Sequence, residues 1–151
     1  MLVSSQRRVV SSPSTTDDAG FTLIELLVVM IVIGILAAIA IPLFVSQRAK
    51  AHDASTKADV SHLAKEIATY FVDGSGTLAL DFTAVPGSVV VADGAGFSTT
   101  VNLTNGTARP ATGAFNNLNS PSAWCVSLTD ADGSVNDFKY TAQAGLGTGT
   151  C

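Results

Sequence analysis

The run GFTLIELLVVMIVIGILAAIAIP (residues 20–42) decides how the rest of this chain is organised. From residue 26 to residue 45 every residue is apolar, Gly or Pro. At about 1.5 Å of helix per residue, these 20 positions cover the roughly 30 Å hydrocarbon core of a bilayer. The run also contains one carboxylate, Glu25, near its start. It therefore predicts a membrane-spanning helix whose charge needs a partner.

The charge of the chain is negative and unevenly distributed. Twelve Asp and Glu residues against eight Lys and Arg residues give a formal net charge of −4. Beyond residue 72 two basic residues face six aspartates, namely Asp73, Asp81, Asp93, Asp130, Asp132 and Asp137. A region of this sign cannot bind nucleic acid by releasing counterions from phosphates, so no nucleic-acid partner is expected.

The N-terminal half divides into three segments. Residues 1–20 are polar, and a cut after Gly20 would leave the apolar run in the mature protein; the alternative is an uncleaved cytoplasmic tail. Residues 21–45 are predicted to form the apolar helix, and residues 46–72 to continue it as an amphipathic helix. The apolar stripe of that second half recurs at three- and four-residue spacing and consists of Val60, Leu63, Ala64, Ile67, Tyr70 and Phe71.

Residues 73–151 are predicted to form a small globular head of strands and loops. The sequence DGSG ends the helix, and the short β-rich runs that follow are SVVVA, FSTTVNL, WCVSL and FKYTA. Asn105-Gly106 is predicted to close a hairpin. The glycine-rich AGLGTGTC at the end is predicted to lack regular structure, although a covalent tether at Cys151 would order it. These features predict an α+β fold, in which a long helix packs on an antiparallel sheet of about four strands.

Both cysteines of the chain, Cys125 and Cys151, lie in the head. In a chain with a membrane segment they suggest one disulfide bond in an oxidising, extracytoplasmic space. The alternative is two unrelated free thiols. In the chain-entropy model, closing this loop stabilises the head by about 3.5 kcal/mol.

The run at residues 20–51 resembles the N-terminus of type IV pilins and of type II secretion pseudopilins. It combines Gly before Phe, Glu at the fifth position after that Gly, an unbroken apolar run, and Gly34 and Pro42 at the helix-breaking positions of the family. The resemblance implies that a prepilin peptidase cuts between Gly20 and Phe21 and N-methylates Phe21. The new amine of Phe21 is then the expected partner of Glu25, and the Thr22 hydroxyl can join the same cluster.

The resemblance also implies what the mature chain does. It would wait in the cytoplasmic membrane until a pilus assembly platform and its ATPase extrude it into an extracellular filament of identical subunits. The leading hypothesis is a major type IV pilin that serves adhesion, motility or surface attachment. The alternatives are a type II secretion major pseudopilin, a subunit of a competence (DNA-uptake) pilus, and an enzyme on a simple helical anchor.

No set of residues in the sequence indicates catalysis, a cofactor or a metal. His52 and His62 are expected to be solvated. DADGSVND (residues 130–137) is interpreted as a turn between strands, because its Gly is fourth and not sixth, as an EF-hand loop requires. A calcium site at Asp130, Asp132 and Asp137 is the weaker alternative, and it is the feature that favours a pseudopilin.

Overall fold

The computed structural model describes residues 20–151, and the predicted leader up to residue 19 lies outside the described residues. The chain forms two compact units, one ending at Ile39 and the other comprising Ala40–Cys151. Helix α1 (Leu23–Asp73) supplies helical residues to both units. Eight strands follow it in the described chain: β1 (Ala79–Asp81), β2 (Ser88–Ala92), β3 (Ser98–Asn102), β4 (Thr107–Ala108), β5 (Phe115–Asn116), β6 (Cys125–Asp130), β7 (Asp137–Thr141) and β8 (Gly145–Thr148).

Helix α1 is continuous through Gly34 and Pro42, so neither predicted break point interrupts it in this structure. At its C-terminal end the N–H of Gly74 donates a hydrogen bond to the carbonyl oxygen of Tyr70 at 2.8 Å. A Cβ at position 74 would lie 2.6 Å from the Tyr70 ring, so only glycine fits where the chain leaves the helix. The helix therefore ends at the DGSG sequence that predicts its end.

All strand pairs are antiparallel, and they form two sheets. The first sheet has the order β1-β2-β3, with Val89 opposite Val101. The second has the order β4-β6-β7-β8, with β5 also paired to β6 and Leu128 opposite Phe138. A long helix packed on antiparallel sheets confirms the predicted α+β class.

The predicted apolar stripe of α1 forms one side of the hydrophobic core. Val60, Leu63 and Ile67 have no exposed surface, and each contributes roughly 1.5–3 kcal/mol by leaving water. The fully or almost fully buried strand residues that face them are Val89, Val91, Val101, Val126, Leu128 and Phe138. Both sheets thus share one core with the second half of the helix.

The number of strands is larger than predicted. The four predicted runs correspond to β2, β3, β6 and β7, but the structure adds four short strands, of which β4 and β5 have two residues each. Two residues cannot show an alternating pattern, so the sequence carries no signal for them.

The predicted hairpin at Asn105-Gly106 is wrong, because the strands on its two sides belong to different sheets. β3 pairs with β2, whereas β4 pairs with β6. The local turn itself is present: the N–H of Thr107 donates to the carbonyl oxygen of Thr104 at 2.9 Å, and Gly106 has a φ of 101°. Turn residues specify the reversal of the chain, but long-range packing decides which strand follows it.

The glycine-rich C-terminus is regular, contrary to expectation, because its residues form β8 against β7. Cys151 is bonded to Cys125, with the two Cα atoms 5.9 Å apart, and its N–H donates to the carbonyl oxygen of Gly113 at 3.0 Å. Glycine has a low strand propensity. Pairing with β7 and the covalent tether therefore order a segment whose composition does not.

Candidate functional site

The bond between Gly20 and Phe21 is accessible in this structure. Both residues precede the helix, and Phe21 is 83% exposed. A Cβ built on Gly20 would meet nothing within 4 Å. Because both residues lie ahead of the helix start, the bond between them is accessible without local unfolding of the helix.

Thr22 and Glu25 form a reciprocal capping box at the first turn of α1. Oε2 of Glu25 accepts hydrogen bonds from the backbone N–H of Thr22 at 2.8 Å and from its hydroxyl at 2.7 Å. The Thr22 hydroxyl oxygen in turn accepts the N–H of Glu25 at 3.3 Å. The T-x-x-E spacing that produces this arrangement is a recognised helix-start signal, which the sequence interpretation overlooked. A cut after Gly20 would leave both residues in the mature chain.

No residue of the apolar half of α1 (residues 23–45) is buried in this chain. Every large hydrophobic side chain from Phe21 to Val45 is at least 50% exposed. Within residues 20–151, α1 is long and apolar enough to cross a membrane, and none of its most apolar 18-residue window is buried. An exposed apolar surface of this extent requires lipid or protein around it.

Both histidines were predicted to be solvated. The prediction is wrong for His52 and confirmed for His62. Nδ1 of His52 lies 2.9 Å from Oδ2 of Asp130, whose side chain is 2% exposed. This is hydrogen-bond distance, and the ring donates to the carboxylate in the tautomer that carries its proton on Nδ1. His62 is 58% exposed and lies 3.8 Å from Glu66. Spacing along the helix separates the two histidines onto different faces but does not show which face meets the sheets.

Two aspartates of α1 accept hydrogen bonds from the turns that follow β6 and β3. Oδ1 of Asp53 accepts the N–H of Val135 at 3.0 Å, and Oδ2 of Asp59 accepts the N–H of Thr104 at 2.8 Å. Both aspartates are 8% exposed. Their positions continue the three- and four-residue spacing of the apolar stripe toward the N-terminus. The sequence does carry a signal for these contacts, because it places polar residues on a helix face that is otherwise apolar.

At the other end of the same helix, Asp93 organises the turn between β2 and β3. Its Oδ1 accepts backbone N–H groups from Ala95, Gly96 and Phe97, and its Oδ2 lies 3.3 Å from the Tyr70 hydroxyl. The hydrogen bond from Ala95, and to a smaller extent the others, stabilises the charged carboxylate. The pKa of Asp93 is therefore below its ordinary value. A negative charge at this position therefore stabilises the turn.

The β6–β7 turn brings a small group of possible metal ligands together, but not the set that the sequence suggests. One ligand atom each from His52, Asp130 and Asp132 lies within 4.8 Å of the other two. Asp137, the third member of the calcium alternative, is not part of this group and begins β7.

Within the described residues, the chain has an exposed apolar helix half and a disulfide-bonded head. A family profile described as the prokaryotic N-terminal methylation motif matches residues 16–41. No curated protein and no solved structure matches the chain. The chain thus carries the N-terminal signal of type IV pilins and pseudopilins, on an α+β fold consistent with that of a type IV pilin.

Proposed function

We propose that this chain is the major structural subunit of a type IV pilus. The observation that carries the proposal is the apolar half of α1, whose large side chains are all at least half exposed behind a single carboxylate. Such a surface suits two environments, the bilayer before assembly and the helical core of a filament afterwards. The protein has a structural role in this proposal, and adhesion, motility or surface attachment are properties of the filament.

Maturation would begin with a prepilin peptidase. The enzyme would remove residues 1–20 by cutting between Gly20 and Phe21, and it would then methylate the new amine of Phe21. The exposure of both residues and the matched methylation motif support this step. The product would remain in the cytoplasmic membrane through its apolar helix.

Glu25 would then select how subunits join. Its two hydrogen bonds to Thr22 both use Oε2, which leaves the carboxylate charge available to the amine of Phe21 on a neighbouring subunit. Removing the carboxylate and the amine from water costs free energy that offsets much of their attraction, so the net gain is small. The pair would therefore specify the register of the filament more than its stability.

Gly34 and Pro42 would let the helix adapt during extrusion by the pilus assembly platform and its ATPase. Proline provides no N–H to the carbonyl of Ala38, and glycine weakens a helix by about 1 kcal/mol relative to alanine. The helix is continuous in the structure described here. Unwinding between the two residues would therefore be a change that accompanies assembly.

Electron microscopy of material sheared from cells tests this function. Long surface fibres that contain this chain are the expected result, and mass spectrometry should show that the chain begins at methylated Phe21. Short or absent fibres together with a secretion defect would favour the type II secretion pseudopilin. Loss of DNA uptake without loss of adhesion would favour a competence pilus. An intact leader in the mature protein would refute the processing step.

A further inference from the structure

A group of ligand atoms that filament assembly does not use lies where α1 meets the β6–β7 turn. His52 comes from α1, Asp130 from the last position of β6, and Asp132 from the turn itself. One ligand atom from each lies within 4.8 Å of the other two. Since helix and turn converge through tertiary structure, the three side chains are positioned before any ligand arrives.

The charge around this group is negative, which favours binding of a cation. Asp130 is buried, and its close ionic partner is the ring of His52 at 2.9 Å. Among residues 20–151, no Lys or Arg nitrogen lies within 4.0 Å of a carboxylate oxygen. The carboxylate of Asp53 lies on the same helix and contacts the same turn through Val135. Oδ1 of Asp130 also accepts the backbone N–H of Asp132 at 3.0 Å. A metal ion would further stabilise the carboxylates of Asp130 and Asp132, which lie beside a single imidazole.

An open cleft gives solvent access to the group. It has a volume of about 200 Å³ and is lined by Val45, Arg48, Ala49, His52 and Asp132. Water molecules can therefore complete the coordination of an ion held there. Arg48 is exposed, so its guanidinium can remain in water while its alkyl part lines the cleft.

We propose that His52, Asp130 and Asp132 form a binding site for a divalent transition-metal ion of the zinc class. One imidazole nitrogen and two carboxylate oxygens, with water in the fourth position, are a donor set that zinc accepts. Calcium and magnesium prefer oxygen ligands throughout, so the histidine separates this site from the calcium alternative. The bound ion would hold the β6–β7 turn against α1. The proposal does not depend on filament formation.

Zinc titration of the untagged full chain in detergent micelles tests the site, with isothermal calorimetry for affinity and elemental analysis for stoichiometry. We expect one zinc ion per wild-type chain. His52→Gln and Asp132→Asn should each weaken binding by about tenfold or more. His62→Gln is the matched control, because it also removes one imidazole, from an exposed position on the same helix, and it should bind zinc as the wild type does. Asp132 is exposed, so its variant should fold normally.

A competition measurement distinguishes this histidine-containing zinc site from a calcium site built on carboxylates alone. An equal concentration of calcium should not displace the zinc, because calcium prefers oxygen ligands throughout. No bound zinc in the wild type, equal affinity in His52→Gln, or displacement by calcium would each overturn the proposal.

Discussion

Both oxygens of the Asp59 carboxylate accept hydrogen bonds from Thr104, Oδ2 from the backbone N–H at 2.8 Å and Oδ1 from the hydroxyl at 3.1 Å. Asp59 lies on α1, and Thr104 lies in the turn through which the chain passes from β3 to β4. The helix therefore contributes more than an apolar stripe to the head. It also fixes the point at which the chain leaves one sheet for the other.

Asp59→Ala should destabilise the head, because it leaves a backbone N–H of Thr104 without its charged acceptor. Hydrogen bonds to charged groups contribute about 1.5–3 kcal/mol, so we expect a loss of that size in the free energy of unfolding. Asp59→Asn keeps one acceptor oxygen and should lose less. Lys65→Ala is the control, because Lys65 is exposed on the same helix. It should change the free energy of unfolding by less than about 0.5 kcal/mol. Equal stability of Asp59→Ala and Lys65→Ala in denaturant titrations would contradict this role.

Gly106→Ala should cost more stability than Gly94→Ala. Both glycines have positive φ values, 101° and 71°, so both alanine variants are strained by about 1–3 kcal/mol. A Cβ at position 106 would also lie 2.8 Å from Oδ2 of Asp130, whereas one at position 94 would meet nothing within 4 Å. The difference in melting temperature between the two variants measures the contact with Asp130 together with the extra strain of alanine at the larger φ of position 106. Identical melting temperatures would show that this contact is not formed.

Replacing both cysteines by serine should lower the free energy of unfolding by about 3.5 kcal/mol, because the bond closes a loop with a sequence separation of 26. We expect hydrogen exchange to accelerate most in β8, next to Cys151, and least in β2 of the other sheet. Mass analysis without reductant should show Cys125 and Cys151 joined within one chain. Free thiols there, or uniform acceleration in both sheets, would argue against a local tether.

Asp93→Asn should remove part of the acid sensitivity of the head. The pKa of Asp93 is lowered in the folded state from the ordinary value of 3.8, because the N–H of Ala95 and further donors stabilise the charged carboxylate. Its contribution to stability is therefore complete above the unfolded pKa and disappears as the pH falls through the lower folded pKa. Wild type should exceed Asp93→Asn in melting temperature at neutral pH, and the two should converge as the pH falls below 3.8 and through the lower folded pKa. Parallel curves over that range would refute this assignment.

Glu25→Ala should leave the protein in the membrane but abolish or strongly reduce filaments, since it removes the proposed partner of the Phe21 amine. Thr22→Val keeps the carboxylate but removes the hydroxyl of the capping box, at a cost of about 1 kcal/mol to the helix start. We expect an intermediate filament yield for this variant, measured by immunoblotting of sheared fractions beside membrane fractions. Normal filaments from Glu25→Ala would exclude the proposed pairing, and loss from the membrane fraction would indicate an insertion defect instead.

The helix was predictable because its signals are local. The apolar run, the stripe at Val60, Leu63 and Ile67, and the stop at residues 73–76 each depend on neighbouring residues only. The same holds for β2, β3, β6 and β7, which are long enough to show a pattern. The capping box of Thr22 and Glu25 is equally local, and it was available in the sequence although it was overlooked.

The contacts of His52, Asp53 and Asp59 were less accessible to such reasoning. Each polar side chain continues a buried helix face, so the sequence marks the position as unusual. The partner of each residue, however, lies 45 to 82 positions away along the chain. No local pattern identifies which of the several turns contacts the helix at each of these three residues.

The sequence by itself determined the membrane-compatible helix, its carboxylate and the α+β class, because hydrophobic period and composition act over short distances. Only the tertiary structure decided that the chain after Asn105-Gly106 joins a second sheet, that residues 145–148 form a strand, and that His52 meets Asp130. Those outcomes depend on which surfaces bury each other, and burial is a property of the whole fold rather than of any segment within it.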